Sequence, residues 1–266
     1  MVQGDNNGVG GSRNTVQGSE NMVLGDENAL INANRNKVNG SLNTIENGND
    51  NILQGSNNLL TGDGNKVLAD NSTIKGDKNQ LIGVSLYVEG DENLIKGTNS
   101  SIVGSENVVL GRNNIVVGNK NNNTGSNNKI TGEMNNAAGD DNLIAGRGNN
   151  VLGFTNTIQG DINTVIGDEN AIRGNENKVA GSQNQVEGSV NILKGHYNQV
   201  KGSQNLLQGN QNVIDGSYNA VSGDLNAVEG SENSAIGDQN ILKGNKNQVL
   251  GSENRVAGNE NVLEGN

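Results

Sequence analysis

The chain has 266 residues, 31% hydrophobic and 2% aromatic, with no cysteine, proline or tryptophan. That inventory cannot fill an ordinary globular core and excludes disulfide stapling. Eighteen Lys plus Arg against 29 Asp plus Glu give a net charge of −11, which argues against nucleic acid and anionic membrane surfaces, since both reward clustered cations.

From the first residues the chain is repetitive. Met1-Val2-Gln3-Gly4 already belongs to a repeat, leaving no room for a signal peptide. No stretch of 18 apolar residues predicts a membrane-spanning segment. Aligned on glycine, the chain falls into sevens, beginning Ser12-Arg13-Asn14-Thr15-Val16-Gln17-Gly18 and Ser19-Glu20-Asn21-Met22-Val23-Leu24-Gly25. The consensus is turn-x-Asn-x-aliphatic-x-Gly. Of 37 units, 34 have Asn at position three and 34 have Gly at position seven. Single-residue insertions near Ala33 and Gly48 are the only breaks in the count. With no linker or shift in composition, residues 1–266 read as one domain without evident caps.

A coiled coil needs two apolar positions per heptad, and this repeat fixes one. Glycine on every second helical turn would also cost about 1 kcal/mol each time. The geometry that fits is a three-residue strand followed by a tight corner, twice per coil. Position five points inward and positions four and six outward, because side chains alternate across a strand. The predicted fold is therefore all-β: a β-solenoid of two heptads per 14-residue coil, about 18 coils. Stacking at roughly 4.8 Å would make a rod on the order of 90 Å long. Each coil buries only two aliphatic side chains, worth about 1.5–3 kcal/mol apiece, so the inward asparagines must bond to one another and to corner backbone groups. Asn107, Asn163, Asn205 and Asn247 represent this structural ladder.

Further along the chain the pattern weakens. Ser72 and Ser100 stand at ladder positions, Leu86 occupies another with Val84 at the adjoining turn, and Asn123 fills an aliphatic slot. These read as tolerated irregularities, with a kink or docking point as the sharper alternative.

The x-x-Asn-x-Val-x-Gly pattern resembles the repeat of the perennial ryegrass antifreeze, or ice-recrystallisation-inhibition, family, across essentially the whole chain. The resemblance implies a left-handed β-roll with a Val core, internal asparagine ladders and a flat outward array rich in Thr, Ser and Val that meets ice. Heads of trimeric autotransporter adhesins are similar in having a 14-residue roll, but favour Ser and Ala where Asn stands here.

Function must be read from the outward positions. Alternate units make two faces. Face A is the more apolar, and its candidate association surface is Met22, Leu24, Leu68, Ile82, Val108, Leu110, Leu152, Ile166, Ile236 and Leu250. Face B is more charged, with Lys75, Glu89, Arg173, Glu187, Lys201, Glu229 and Lys243. Thr occupies only eight outward positions, Thr15, Thr44, Thr61, Thr73, Thr124, Thr131, Thr157 and Thr164, scattered over both faces. His196 and the acidic pairs, such as Asp26-Glu27 and Asp140-Asp141, read as solvated turns. No catalytic, phosphate-binding or metal-ligating motif appears, so neither enzyme activity nor a cofactor is expected. The leading expectation is a structural protein that associates with itself, end to end or through face A, into a filament or array. Ice binding of the ryegrass type is the alternative, with an ice surface as partner, and an adhesin-like stalk is third. An extracellular filament or surface is favoured over the cytoplasm.

Overall fold

A computed structural model describes residues 1–265; Asn266, which the repeat places at a turn, lies outside them. Among the described residues, 38 short strands, two per coil, make the coils of a parallel β-solenoid, about 19 in number, and no helix is present. The expected count of about 18 falls short because Val2–Gln3, in an incomplete opening heptad, also forms a strand. The chain divides into two compact units, Met1–Met134 and Asn135–Asn266.

In the N-terminal unit, alternate strands make two parallel sheets. Sheet N-I holds Thr15–Gln17, Ala29–Ile31, Thr44–Glu46, Leu59–Thr61, Thr73–Lys75, Tyr87–Glu89, Ser101–Val103, Ile115–Val117 and Lys129–Thr131, after Val2–Gln3. Sheet N-II runs from Gly8–Gly10 and Met22–Leu24 to Val108–Arg112 and Asn122–Thr124. The register is one coil, as in Ile74↔Val88 and Val88↔Ile102. Position five is buried beneath both sheets, by Leu30, Ile45, Leu60 and Ile74 under N-I and by Val23, Leu53, Leu81 and Ile95 under N-II. Every such methyl removed from water contributes, but the corners need bonds of their own.

Three sets of bonds hold each corner. The ladder asparagine is the first. Asn107 donates its backbone N–H and its Nδ2 to Asn93 Oδ1 at 3.0 and 3.1 Å, and its Nδ2 also reaches the Gly118 carbonyl at 2.8 Å. An amide with two donors and a two-lone-pair acceptor is the one short side chain that can do all three. Position one makes an external ladder: the N–H groups of Asp63 and Asp77 each donate to the carboxylate one coil on, both at 2.7 Å, and Asp91 donates to Ser105 Oγ at 3.0 Å. Position two adopts left-handed backbone in coil after coil, for example Glu106 at φ 59°, and its N–H donates to the preceding coil's position-one carbonyl. At position seven the coils come too close for a side chain. A Cβ on Gly90 would overlap the carbonyl of Gly104, and its φ of 137° strains any other residue.

The irregular coils have local explanations. The insertions add Asn32 and Asn47, both left-handed, to the same corner of successive coils, where Asn32 Nδ2 donates to Asn47 Oδ1 at 3.2 Å. Stacked one on the other, they keep the register, now Leu30↔Ile45. Around Leu86 the ladder reads Asn58, Ser72, Leu86, Ser100, Asn114. Two short serines make room for one buried leucine, while Ser72 Oγ still accepts from the Leu86 N–H at 3.0 Å and Ser100 Oγ from the Asn114 N–H at 3.1 Å. Leu86 has no amide to offer the carbonyl at the corner. There the N-II strands lengthen to five residues, Lys66–Asp70, Gln80–Val84, Leu94–Thr98 and Val108–Arg112, carrying the backbone pairing into the corner. Asn123 is fully buried, accepts from Asn128 Nδ2 at 2.9 Å, and leaves its own Nδ2 without a partner.

The C-terminal unit repeats this construction without such breaks. Sheet C-I contains Leu143–Ala145, Thr157–Gln159, Ala171–Arg173, Gln185–Glu187, Gln199–Lys201, Val213–Asp215, Ala227–Glu229, Ile241–Lys243 and Arg255–Ala257; sheet C-II runs from Asn136–Ala138 to Val262–Glu264. Asn163, Asn205 and Asn247 each make the three ladder bonds, to Asn149, Asn191 and Asn233 and to the carbonyls of Gly174, Gly216 and Gly258.

Candidate binding faces

The solenoid spends its inward positions on the fold, so any binding surface is made of positions four and six. Face A of the sequence corresponds to N-II in one unit and C-II in the other. In N-II the register stacks Met22, Lys37, Ile52, Lys66, Gln80, Leu94 and Val108 at position four, and Leu24, Asn39, Gln54, Leu68, Ile82, Lys96 and Leu110 at position six. Of the candidate association residues in this unit, Met22, Leu24, Leu68, Ile82 and Leu110 are exposed and Val108 is half-buried. Lysines separate them into short runs. In C-II, Leu152 and Ile166 are neighbours, as are Ile236 and Leu250, all four exposed.

Sheet N-I has a different order. Its position-four column reads Thr15, Ala29, Thr44, Leu59, Thr73, Tyr87, Ser101, Ile115. Hydroxyl and hydrophobic side chains alternate over eight strands, and no charge interrupts them. Hydroxyls therefore recur every second strand, at roughly 9.6 Å for a strand spacing near 4.8 Å. Thr15, Thr44, Thr73 and Ser101 are half-buried between their neighbours, which limits their rotamers. The companion column at position six adds Thr61, Val103, Val117 and Thr131, and carries Glu46, Lys75 and Glu89. Tyr87 Oη donates to Glu89 at 2.5 Å, and this bond, with some desolvation and the carboxylate's charge, raises the phenol above its ordinary value.

The outward threonines, which the sequence shows scattered over both faces, divide unevenly between them. Six of the eight fall on the N-I and C-I strands, and only Thr124 and Thr164 lie on the others. The missed signal was present in the sequence: writing position four of alternate units in coil order, with 15-residue steps at the insertions, brings out the alternation.

Sheet C-I occupies the same phase of the repeat with other chemistry. Its position-six column reads Ala145, Gln159, Arg173, Glu187, Lys201, Asp215, Glu229, Lys243. Lys243 pairs with Glu229 at 3.0 Å. Other ion pairs lie at corners: Arg35 with Asp50 at 2.7 Å, Lys78 with Glu92 at 3.2 Å, and Arg13 with Glu27. The guanidinium bond to Arg35 holds the Asp50 carboxyl below its ordinary value. His196 belongs to the external corner ladder, its Nδ1 accepting from the Ser182 N–H at 2.9 Å. Among the described residues no cluster of three or more His, Cys, Asp or Glu could hold a metal, and no helix is long and apolar enough to cross a membrane.

Fold and faces together define a β-solenoid repeat protein whose parallel sheets present regular outward columns, an architecture for structure and binding. A family described as the grass antifreeze beta roll matches residues 9–99, 85–160 and 144–237. The chain belongs to that family. No curated protein matches it. Among solved structures, a crystal structure of the polySia-specific acetyltransferase NeuO aligns at 15% identity over 77% of this chain and 78% of that one, with a TM-score of 0.11, too low to carry an argument.

Proposed function

We propose that the protein binds ice, and that it does so through sheet N-I. Membership of the grass antifreeze family supports the activity, and the alternating column from Thr15 to Ile115 is the observation that selects the face. Ice offers a rigid lattice of water oxygens and no charge. A surface that meets it should be flat, should repeat, and should pair hydroxyls with apolar groups that leave lattice water undisturbed. Long charged side chains are poor contacts for it, since they are mobile and hold their own hydration. Position four of N-I repeats and carries no charge over these eight strands, and position six of N-I carries three charges, Glu46, Lys75 and Glu89; position six of C-I carries six in consecutive strands, from Arg173 to Lys243.

The test is inhibition of ice recrystallisation and shaping of single ice crystals, with wild type compared with Thr44→Lys/Thr73→Lys. Both substitutions are outward and should leave the melting temperature unchanged. Activity in the wild type and at least a tenfold loss in the variant are expected. A wild type that leaves ice growth unaltered would sink the reading, and full activity in the variant would move it to another face.

The exposed aliphatic runs of N-II and C-II, though short, support a second reading, lateral self-association through face A, because contiguous apolar patches on a surface mark interaction sites. Leu68→Glu/Ile82→Glu would then abolish any concentration-dependent assembly seen by light scattering.

A further inference from the structure

The outward columns of sheet C-I are complementary to themselves. We infer that C-I is a contact face for a second copy of the chain, packed antiparallel across a two-fold axis. The axis lies in the contact plane, along the strands, midway between the rows of Glu187 and Lys201. It reverses the order of the rows while keeping position four opposite position four and position six opposite position six.

The consequences can be read from the register alone. At position six, Glu187 faces the second copy's Lys201 and Arg173 faces its Asp215. Gln159 faces Glu229, and Ala145 faces Lys243. At position four, Gln185 faces Gln199 and Ala171 faces Val213. Thr157 meets Ala227, and Leu143 meets Ile241. Over eight strands no like charges meet, amide lies against amide, and small or aliphatic groups lie against aliphatic ones. Equal row spacing makes these matches simultaneous, and the symmetry makes each unlike pair occur twice.

Of the four neighbouring registers three bring like charges together. The fourth, with the axis between the Arg173 and Glu187 rows, keeps only the Arg173–Glu187 match and leaves Lys201 against Gln159 and Asp215 against Ala145. An axis through the Glu187 row sets Arg173 against Lys201 and Glu187 against itself. Through the Lys201 row it sets Glu187 against Asp215. Between the Lys201 and Asp215 rows it sets Arg173 against Lys243 and Glu187 against Glu229. Such like-charge contacts select the register more strongly than the attractive ones reward it.

Two further observations belong to the same strands. A trough of about 510 Å³ runs between the two columns, lined by Ala171, Arg173, Gln185, Glu187, Gln199 and Lys201 among others, and gives opposing side chains somewhere to interdigitate. Among the described residues none of Arg173, Glu187, Lys201 and Asp215 forms an ion pair, so their charges are open to a second copy. Eight strands of about three residues offer on the order of 400 Å² of flat surface per copy, below the roughly 800 Å² of a standard interface. The dimer should therefore be weak and sensitive to salt.

Sedimentation equilibrium of the full chain, at low and high ionic strength, tests this independently of any ice activity. At low salt a monomer–dimer equilibrium is expected, shifting toward monomer as salt rises. Glu187→Lys should weaken it at least tenfold, since two attractive pairs become repulsive, and Glu187→Lys/Lys201→Glu should restore it. Both positions are exposed, so all variants should share one melting temperature. A monomer at every concentration up to about 1 mM would overturn the inference. So would a dimer indifferent to Glu187→Lys, or one that the charge swap does not rescue.

Discussion

Sheets N-I and C-I come from the same phase of one repeat and share the same backbone, yet they offer different surfaces. N-I alternates Thr or Ser with Ala, Leu, Tyr and Ile in one column; C-I carries Arg173, Glu187, Lys201 and Asp215 in another. Nothing in the fold forces either choice. Position five, the ladder asparagine and the corner glycine are fixed by burial, bonding and close approach, and they are fixed alike in both units. Positions four and six touch only their neighbours up and down the column. A solenoid of this type separates the residues that make the structure from those that use it, and the comparison can be broken at either level.

The largest effect should come from the buried level. Asn205→Leu removes the side-chain Nδ2 that donates to Asn191 Oδ1 and to the Gly216 carbonyl, leaving that carbonyl without its ladder bond, and deprives the Asn219 N–H of its acceptor. With about 1–3 kcal/mol for each buried group left unpaired, a loss of about 3 kcal/mol or more is expected in chemical denaturation. The N-terminal unit tolerates Leu86 because Ser72 and Ser100 flank it. Asn191→Ser/Asn205→Leu/Asn219→Ser should therefore cost less than the sum of its three single changes; strict additivity would refute the account of that triplet.

Next comes the surface level. Gln185→Lys/Gln199→Lys in C-I should leave inhibition of ice recrystallisation within about twofold of wild type, whereas Thr44→Lys/Thr73→Lys in N-I should lose at least tenfold, about 1.4 kcal/mol or more. Equal losses in both sheets would erase the functional difference between them.

Two smaller changes should stabilise. Asn123→Val replaces a buried amide with an unpartnered Nδ2 by the aliphatic group the slot normally holds and gives up the bond accepted from Asn128 Nδ2, for a net gain of at most about 1 kcal/mol in chemical denaturation. Ile162 is β-branched in left-handed backbone at φ 60°, and Ile162→Asn should relieve about 1 kcal/mol. The smallest effect concerns pH. The Asp50 carboxyl is depressed by Arg35, so its contribution is present above the ordinary carboxylate value and is lost as pH falls through the depressed one. Asp50→Asn should lower the melting temperature slightly near neutrality and not at all in strong acid.

The buried level was legible from sequence because its demands are chemical and narrow: only a short amide makes the ladder, and only glycine fits under the next carbonyl. The two-sheet coil and the asparagine ladder followed directly. Position two was not legible. It adopts left-handed backbone yet holds Glu106, Tyr197, Ile162 and Lys246 alike, because its backbone bonds rather than its side chain hold it there. The alternation in N-I was also missed, since a count of threonines discards the order in which coils stack. Ser72, Leu86 and Ser100 read in the sequence as tolerated irregularities; what the sequence does not show is that both serine hydroxyls still accept ladder bonds on either side of the leucine.

The two added corner residues, Asn32 and Asn47, carry one more consequence. Each lengthens a coil without changing which sheet the next strand joins. Gain or loss of a single heptad would behave differently. Every strand beyond the event would change sides, so that hydroxyl columns and apolar columns exchanged places downstream. Repeats of this family can thus lengthen or shorten by whole coils with their surfaces intact, while an odd number of heptads scrambles them. Parity, rather than length, is what selection on such a surface has to guard.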